Sequence, residues 1–378
     1  MQSPDDRKQE QYIIERELGR GSFSVVYKAR HRVTGEEFAI KQVQLDESDS
    51  KAIQNTLNEV RILCSVSHPN VVGYKEAFMR GPKEMWIVME FAKGGDLSSR
   101  IEQAKMTSTG ISEGQIWSWL IQILLGLRAL HDLKIMHRDI KPANIFLSER
   151  GKEAKIGDLN VAKVGGQDLA STQVGTPLYL APEIWTYEPY SNKCDIFSLG
   201  CLVHELAALK VPFEAQSIPQ LYSKVSATRA PRIPSQYTEQ LQFFISLCLE
   251  KNPTKRPSAD QLLALPSVRS RLLASQFEPQ VQRCSLLINT IPIPENIEDL
   301  NGLLPCKDAK TRNKSFLTLS IQHLEPALPV ERKSSRDFYP VLVPVKNRPN
   351  VSAVSKKLPP LKSAKPIPKS PLPPPKAL

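Results

Sequence analysis

His137-Arg138-Asp139-Ile140-Lys141-Pro142-Ala143-Asn144 places a carboxylate, an ammonium and a carboxamide within eight residues of backbone. A carboxylate can accept the proton of an attacking hydroxyl, an ammonium can neutralise charge on a moving phosphoryl group, and an amide oxygen can bind a magnesium ion. Asp139, Lys141 and Asn144 are the side chains that fit these tasks. A polar loop between two strands is the alternative, so the interpretation depends on partners elsewhere in the chain.

A glycine-bearing turn lies near the N-terminus, between predicted strands at residues 12–18 and 25–29. It reads Gly19-Arg20-Gly21-Ser22-Phe23-Ser24. Because glycine has no side chain, backbone N–H groups in such a turn can approach phosphate oxygens closely. A plain hairpin would look the same, but Val26 and Lys41 follow at a spacing typical of a nucleotide-binding loop and its lysine. The spacing favours the functional interpretation.

Lys41 ends a predicted strand at residues 38–41 that would be buried on one side. An unpaired ammonium is costly to bury, so Lys41 requires an anionic partner. Glu59 lies 18 residues downstream, in a predicted helix at residues 53–64. Glu59 is therefore the candidate partner, although a solvated helix charge is the common alternative for a single glutamate.

Asp158 follows a predicted small hairpin at residues 145–156 and lies 14 residues after Asn144. The hairpin would bring the two side chains opposite one another. Two oxygen ligands in that arrangement could share magnesium ions with the phosphates of a nucleotide. The sequence therefore predicts a metal site formed by Asn144 and Asp158.

Proline content and charge both change near residue 276. Residues 1–275 hold 14 of the 31 prolines, and residues 279–378 hold the other 17. Residues 276–378 carry 16 Lys and Arg against 8 Asp and Glu, which is +8 of the total net charge of +11. The last hundred residues are therefore a different kind of polymer from the part that precedes them.

We expect three parts in the chain from this change in composition. They are an N-terminal extension at 1–11, a folded domain at 12–272, and a basic, proline-rich, largely disordered tail at 273–378. Within the tail, residues 296–304 could form a short amphipathic helix that docks on the domain.

Composition also limits the class of protein. The six cysteines lack the paired spacing of a metal site, which predicts reduced thiols in a cytosolic protein. The polar N-terminus argues against a secretory signal or transit peptide. The longest nearly apolar run, residues 116–127, has 12 residues and is too short to span a bilayer. Nucleic-acid binding is not expected, because aromatic residues are not interleaved with the lysines of the tail.

Taken in order, these motifs resemble those of the eukaryotic protein kinases over about residues 12–272. The position of Lys141, two residues after Asp139, resembles the pattern of the serine/threonine-specific branch of these kinases. Six segments resemble the NIMA-related (NEK) kinases: residues 58–63, 68–72, 74–78, 89–92, 94–97 and 141–146. The resemblance implies an α+β, two-lobed protein kinase fold with a small β-rich N-lobe and a larger helical C-lobe, followed by a disordered Pro/Lys-rich tail.

The resemblance also implies cofactors, ATP and Mg²⁺, and a role for each candidate residue. Catalytic roles are implied for Asp139, Lys141, Lys41 and Glu59. Nucleotide binding is implied for Gly19, Arg20, Gly21, Ser22, Phe23, Val26, Ala39, Lys41, Met89, Glu90 and Ala92. Metal binding is implied for Asn144 and Asp158, and regulation for Arg138, Ser171, Thr172 and Thr176. Met89 would guard the back of the adenine pocket; the alternative is that Met89 is an ordinary core residue, and both can be true. The backbone of residues 90–92 would meet the adenine edge.

Three positions, in two motifs, depart from the kinase pattern. Ser24 takes the place of the third glycine of the nucleotide loop, which should stiffen the loop and tune nucleotide affinity. Leu159 and Asn160 replace the Phe and Gly of the usual Asp-Phe-Gly tripeptide. Asn is the non-glycine residue best able to adopt a positive φ. Because the metal ligand Asp158 is kept, we expect this departure to affect switching rather than activity.

Residues 158–183 resemble an activation segment and contain two adjacent hydroxyls, Ser171 and Thr172, in a polar stretch. Arg138 precedes the catalytic carboxylate, and a guanidinium in that place benefits from a phosphate partner. We therefore expect activating phosphorylation at Thr172, with Ser171 second; unmodified loop residues are the alternative. By resemblance, Thr176 would instead bond the carboxylate and the lysine of the catalytic loop.

The sequence thus predicts an ATP-dependent serine/threonine protein kinase that phosphorylates protein substrates. The NEK resemblance implies a cell-cycle, microtubule or cilium/flagellum role, and a location in the cytoplasm, at the cytoskeleton, at the centrosome or basal body, or in a cilium or flagellum. The tail could bind proline-binding domains or the acidic surface of microtubules, and a solvated linker is the alternative. A pseudokinase scaffold acting through the tail is the competing function, supported only by Ser24 and Asn160.

Overall fold

A five-stranded antiparallel sheet forms the N-terminal lobe in the computed structural model, which describes residues 10–21, 24–46, 48–81, 83–158, 177–186, 190–274, 291, 293–294 and 297–305. The strands are β1 (Tyr12–Arg20), β2 (Ser24–His31), β3 (Glu37–Gln44), β4 (Tyr74–Met79) and β5 (Glu84–Glu90). Their spatial order is β1-β2-β3-β5-β4, so β4 is an outer strand. Gly35 closes the turn between β2 and β3 with a φ of 72°, a conformation that favours glycine.

One helix, α1 (Ser50–Ser65), packs against β4 of this sheet. Asp49 caps the helix by accepting a hydrogen bond of 2.9 Å from the backbone N–H of Ala52. The apolar side chains of Leu57 and Val60 are fully buried. Burial of this face, rather than intrinsic helix propensity, is what stabilises a helix of this length. The predicted helix at residues 53–64 is confirmed.

The rest of the domain is mostly helical. Its helices are α2 (Leu97–Thr107), α3 (Glu113–Asp132), α4 (Lys193–Ala208), α5 (Ile218–Ala227), α6 (Glu239–Cys248), α7 (Ala259–Leu263) and α8 (Pro266–Ala274). A two-stranded sheet, β6 (Ile145–Leu147) and β7 (Ala154–Ile156), follows α3 in the chain. The predicted α+β fold, with a β-rich N-lobe and a helical C-lobe, is confirmed.

Helix α3 lies at the centre of the helical lobe and packs against α4, α7 and β7. An apolar stripe along this helix is fully buried: Ile116, Leu120, Ile123, Leu124, Leu127 and Leu130. Such a stripe has the helical period of 3.6 residues, so it turns one face of the helix to the core. Because α3 ends at Asp132, it delivers the loop that begins at His137 from a rigid base.

Four cysteines lie in the described part of the chain. Cys194, Cys201 and Cys248 are buried, and Cys64 is partly buried. Burial raises the pKa of the Cys201 and Cys248 thiols, so both stay protonated and pack as small apolar side chains. Among the residues that the structure describes, no helix is long and apolar enough to cross a membrane.

Residues beyond the predicted end of the domain at 272 also pack on it. Helix α8 continues to Ala274, and the side chains of Ile291 and Leu300 are buried in the main apolar cluster. A 3₁₀ turn at Ile297–Gly302 contacts β4, where the sequence predicted a short docked amphipathic helix. The docking is therefore present, with a 3₁₀ turn in place of the helix.

The predicted outer boundaries concern residues that lie mostly outside the described part. The chain divides into two units, residues 1–317 and 318–378, and the second lies wholly outside the described residues. The N-terminal extension at 1–11 and the disorder of the tail from 306 onward therefore stay predictions.

Candidate active site

A buried carboxylate anchors the loop that follows α3. Asp195, in the first turn of α4, is fully buried and accepts hydrogen bonds from the backbone N–H groups of His137 (3.0 Å) and Arg138 (2.7 Å). Nε2 of His131 lies 2.8 Å from the same carboxylate. Burial alone would raise the pKa of Asp195, but the hydrogen bonds from His131 and the loop backbone lower it, so the carboxylate stays charged.

Two residues of the site adopt a left-handed backbone conformation that is unfavourable for side chains with a Cβ. Arg138 has a φ of 67° and Asp158 a φ of 54°. Each such residue costs about 1–3 kcal/mol, and it persists only when the surrounding structure fixes it. At Arg138 the two bonds to Asp195 fix the loop. Strain of this kind concentrates at functional sites, and here it flanks both ends of the predicted catalytic machinery.

The three side chains of the opening motif converge in the structure. Nζ of Lys141 lies 2.9 Å from Oδ2 of Asp139. The amide nitrogen of Asn144 donates to the same oxygen at 3.0 Å and to the backbone carbonyl of Asp139 at 2.8 Å. These bonds fix the carboxylate of Asp139, whose side chain remains about 25% exposed and can meet a substrate. They also leave the side-chain oxygen of Asn144 as the atom that can bind a cation.

The predicted ion pair between Lys41 and Glu59 is present. Nζ of Lys41, on β3, lies 2.7 Å from Oε1 of Glu59, on α1, and both side chains are 11% exposed. Oδ1 of Asp158 lies 3.6 Å from the same nitrogen. Burial would lower the pKa of Lys41, but attraction to Glu59 and Asp158 outweighs it and raises the pKa. Lys41 therefore stays cationic, as binding to phosphate requires.

Asp158 stands beside Asn144 because the backbone N–H of Gly157 donates to the carbonyl of Asn144 at 2.9 Å. Within the described residues, no group of three or more His, Cys, Asp or Glu side chains could form a closed metal site. Mg²⁺ does not require one, because it is usually held by one or two protein oxygens together with substrate phosphates and water. One carboxylate and one carboxamide therefore fit a nucleotide-bound Mg²⁺.

Five predicted nucleotide contacts fall on neighbouring positions of the sheet. Gly19 pairs with Val26, and Val26 pairs with Lys41. Ala39, two residues before Lys41, pairs with Met89. Directly opposed residues of antiparallel strands share a face, as do residues two apart on one strand. Val26, Lys41, Ala39 and Met89 therefore face the same side, and Met89 also packs against the core.

Four more predicted nucleotide contacts, Arg20, Gly21, Ser22 and Phe23, lie at the turn between β1 and β2. The side chain of Arg20 pairs with a glutamate on its own strand at 2.6 Å. The backbone N–H of Gly21 donates to the carbonyl of Ser24 at 2.8 Å and closes the turn. Ser22 and Phe23 lie outside the described residues, so their predicted contacts with phosphate stay predictions.

The end of β5 forms the predicted hinge. The backbone N–H of Glu90 donates to the carbonyl of Gly73 at 2.8 Å. Its carboxylate pairs with Nζ of Lys155 at 2.8 Å. Both groups are committed to the fold, so the adenine contact predicted for Glu90 would use its backbone carbonyl. Ala92, two residues further on, is partly buried.

The predicted regulatory hydroxyls Ser171, Thr172 and Thr176 lie outside the described residues, as do the departures Leu159 and Asn160. Of the regulatory set, Arg138 is described, and its guanidinium carbon lies 5.5 Å from the ring centre of Tyr190. Such a cation–π contact orients the guanidinium without neutralising it. The predicted pairing of Arg138 with phosphothreonine stays a prediction.

The structure adds two site residues that the sequence interpretation missed. The ring of His137 donates from Nε2 to the carbonyl of Gly157 at 2.9 Å and accepts at Nδ1 from the backbone N–H of Asp139 at 3.3 Å. It thus ties the catalytic loop to Gly157, which follows β7 and directly precedes Asp158. A Cβ on Gly157 would lie 2.5 Å from the ring of Phe146, so only glycine fits there. A glycine directly before the predicted metal ligand Asp158 was the available signal.

Residues 12–268 match the family described as the protein kinase domain. This span contains every residue of the site described above. The chain therefore belongs to the protein kinase family.

Relatives narrow the resemblance within that family. The chain is 37% identical over 318 residues to the serine/threonine-protein kinase Nek5 of Mus musculus, which covers 84% of this chain and 49% of the relative. It is 39% identical over 274 residues to mouse Nek3, covering 72% of this chain and 52% of the relative. It is 34% identical over 275 residues to Nek3 of Oryza sativa subsp. japonica, covering 72% and 46%. The predicted NEK resemblance is confirmed, and the chain spans about half the length of these relatives.

Proposed function

We propose that the chain is an ATP- and magnesium-dependent protein kinase that transfers the γ-phosphoryl group of ATP to serine and threonine hydroxyls of protein substrates, releasing ADP. The observation that supports it best is that the carboxylates of Glu59 and Asp158 both lie close to the ammonium of Lys41, at 2.7 and 3.6 Å. A chain that had lost catalysis would have no need to keep a buried cation between two carboxylates. Because the chain spans only about half the length of its relatives, its activity is stated as a proposal.

Each residue has one task in this reaction. Asp139, fixed by Lys141 and Asn144, would accept the proton of the attacking hydroxyl. The ammonium of Lys141 would neutralise charge that develops on the moving phosphoryl group. Lys41, held by Glu59, would steady the inner phosphates of ATP. Asn144 and Asp158 would hold Mg²⁺, which neutralises phosphate charge when it is bound.

The direct test is transfer of label from γ-labelled ATP to casein by the full chain, with Mg²⁺ and with EDTA in excess. We expect transfer that requires Mg²⁺ and appears on phosphoserine and phosphothreonine after acid hydrolysis of the product. Label on phosphotyrosine alone would contradict the assignment to the serine/threonine branch. No label in any condition, including after activation by a cell extract, would favour the pseudokinase scaffold.

Replacing Lys41 by methionine keeps an apolar stem but removes the ammonium. We expect kcat/KM for ATP to fall about 10²-fold or more, because a fixed charge on the phosphates is lost in a water-poor site. Initial rates at varied ATP concentration would measure the change. Lys105→Met is the matched control, because it breaks a Lys–Glu pair of the same 2.7 Å length that is 41% and 54% exposed. Equal losses from both substitutions would contradict the role of Lys41.

Activation through Thr172 is the regulatory part of the proposal. It is supported by Arg138, the residue directly before Asp139, whose guanidinium lies against the ring of Tyr190. A phosphothreonine that gains one or two charge-assisted hydrogen bonds from Arg138 should order the segment and raise activity about tenfold or more. Thr172→Ala should therefore lower the rate of the phosphorylated enzyme by that factor, whereas Ser171→Ala should change it less. A Thr172→Ala protein with full activity would exclude this switch.

The cellular role is proposed from similarity alone. From the resemblance to the NEK kinases we propose a cell-cycle, microtubule or cilium/flagellum role, with a location in the cytoplasm, at the cytoskeleton or centrosome, or in a cilium or flagellum. The basic, proline-rich composition of residues 341–378, which contain no acidic residue, supports binding to proline-binding domains or to microtubules. Sedimentation of the full chain with polymerised tubulin at increasing salt would test the second partner.

A further inference from the structure

A segment beyond the kinase match, which ends at residue 268, is docked on the outer strand of the N-lobe. The side-chain oxygen of Asn301 accepts a hydrogen bond of 2.6 Å from the backbone N–H of Met79, the last residue of β4. The hydroxyl of Tyr74, the first residue of β4, donates to the carbonyl of Pro305 at 2.5 Å. The segment is therefore hydrogen-bonded to β4 at both ends of the strand.

This contact satisfies a strand edge that would otherwise face solvent. An outer strand presents backbone donors with no neighbouring strand to accept them. Asn301 places an amide oxygen where the carbonyl of a neighbouring strand would be. Leu300, the preceding residue, is fully buried in the main apolar cluster, while Asp299 before it is exposed. The 3₁₀ turn is thus amphipathic over these three residues, with one buried anchor and one backbone cap.

The strand that the segment grips connects to two parts of the active site. On one side, β4 packs against helix α1, which carries Glu59. In the sheet, Tyr74 pairs with Met89 on β5, the residue predicted to guard the adenine pocket. Leu300 belongs to the same continuous apolar cluster as Leu57 and Val60 of α1. Rigid packing of this kind transmits a displacement of β4 to its neighbours.

We propose that residues 297–305 are a positioning segment for phosphoryl transfer: docked on β4, they hold α1 where Glu59 reaches Lys41. The partner of this surface is the chain's own post-domain segment. The inference rests on the proposed function, because its consequence is read in phosphoryl transfer. It extends that function by assigning a task to residues outside the catalytic domain.

Full-chain variants test the proposal. Leu300→Asp removes the buried anchor, and Asn301→Ala removes the cap of the Met79 N–H. We expect each to lower kcat/KM for ATP, about tenfold for Leu300→Asp and less for Asn301→Ala, the range seen for residues that modulate a distant site through packing. Asn301→Asp keeps an acceptor oxygen at the same place and should retain most of the activity. Asp299→Ala, on the exposed side of the same turn, is the matched control and should change nothing.

Backbone hydrogen exchange separates positioning from mere stability. In Leu300→Asp we expect faster exchange in α1 and at Met79, with helix α3 of the C-lobe unchanged. A peptide of residues 291–305, added in excess, should slow that exchange again and restore turnover. Faster exchange confined to residues 297–305, with wild-type exchange in α1 and a wild-type KM for ATP, would overturn the proposal. Faster exchange throughout α3 as well would also overturn it, because the segment would then support the whole fold.

Failure of the proposed function would have a different signature. If the wild-type chain transfers no phosphate, the exchange arm and calorimetric binding of Mg²⁺–ATP still report whether the segment holds α1. Coupling between the segment and α1 in an inactive chain would leave the positioning of α1 intact while refuting the kinase activity. Loss of coupling in an active chain would refute the positioning of α1 by the segment and leave the proposed kinase activity intact.

Discussion

Replacing Asp139 by asparagine should lower the rate of phosphoryl transfer by about 10²–10⁴-fold, the usual contribution of a positioned general base. The substitution preserves the shape of the side chain and one oxygen that can accept from Lys141. It removes the charge that makes Asp139 a proton acceptor and that its bond to Lys141 at 2.9 Å exploits. Steady-state kinetics with a saturating protein substrate would measure kcat.

The proposed role of Asp139 also predicts what should not change. The nucleotide is expected to contact Lys41, the sheet face and the metal ligands, so affinity for Mg²⁺–ATP measured by calorimetry should stay within about threefold of wild type. Asp132→Asn is the matched control: that carboxylate is exposed at the end of α3 and should be dispensable. An Asp139→Asn enzyme that turns over like the Asp132→Asn control would remove Asp139 from the mechanism. A large loss of ATP affinity instead would reassign it to binding.

Much of the site could be predicted from the sequence because its residues lie on short, regular pieces of chain. Burial of its strand means that Lys41 must have an anionic partner, so the need for a pair was predictable from burial cost. The choice of Glu59 as the partner came from the resemblance to the kinases. The apolar residues of α3 recur with the helical period of 3.6 residues, and this period indicates a helix. The adjacency of Ala39 and Met89 follows from strand register once the strands are recognised.

Other contacts leave no trace in a linear pattern. His131 and Asp195 are 64 residues apart, and nothing in their surroundings distinguishes a packed histidine from one that orients a buried carboxylate. Asn301 and Met79 are 222 residues apart, and their contact depends on a single amide oxygen. Periodicity finds faces of helices and strands, whereas a lone side chain that caps a distant backbone group is decided by tertiary packing.

Replacing Arg256 by methionine should lower the free energy of unfolding by about 3–5 kcal/mol, because it leaves a charged partner buried without compensation. Arg256 is fully buried, and its guanidinium holds the carboxylate of Glu183 in a bidentate pair at 2.7 and 3.0 Å. It also donates to the backbone carbonyls of Lys193 and Glu250. A methionine fills the space of the stem but satisfies none of these acceptors. Urea denaturation followed by circular dichroism would measure the difference.

The size of this effect follows from burial rather than from charge, and a second ion pair in the same chain shows why. Arg232 and Glu239 also form a contact, but their side chains are 71% and 80% exposed. Water screens such a pair, so Arg232→Ala should change the free energy of unfolding by only about 0–1 kcal/mol. Glu183→Leu combined with Arg256→Met removes both buried charges and should recover part of the loss. Two outcomes would contradict the argument. One is an equal loss of unfolding free energy from Arg256→Met and Arg232→Ala. The other is a double variant whose loss exceeds the sum of the losses of its two single variants.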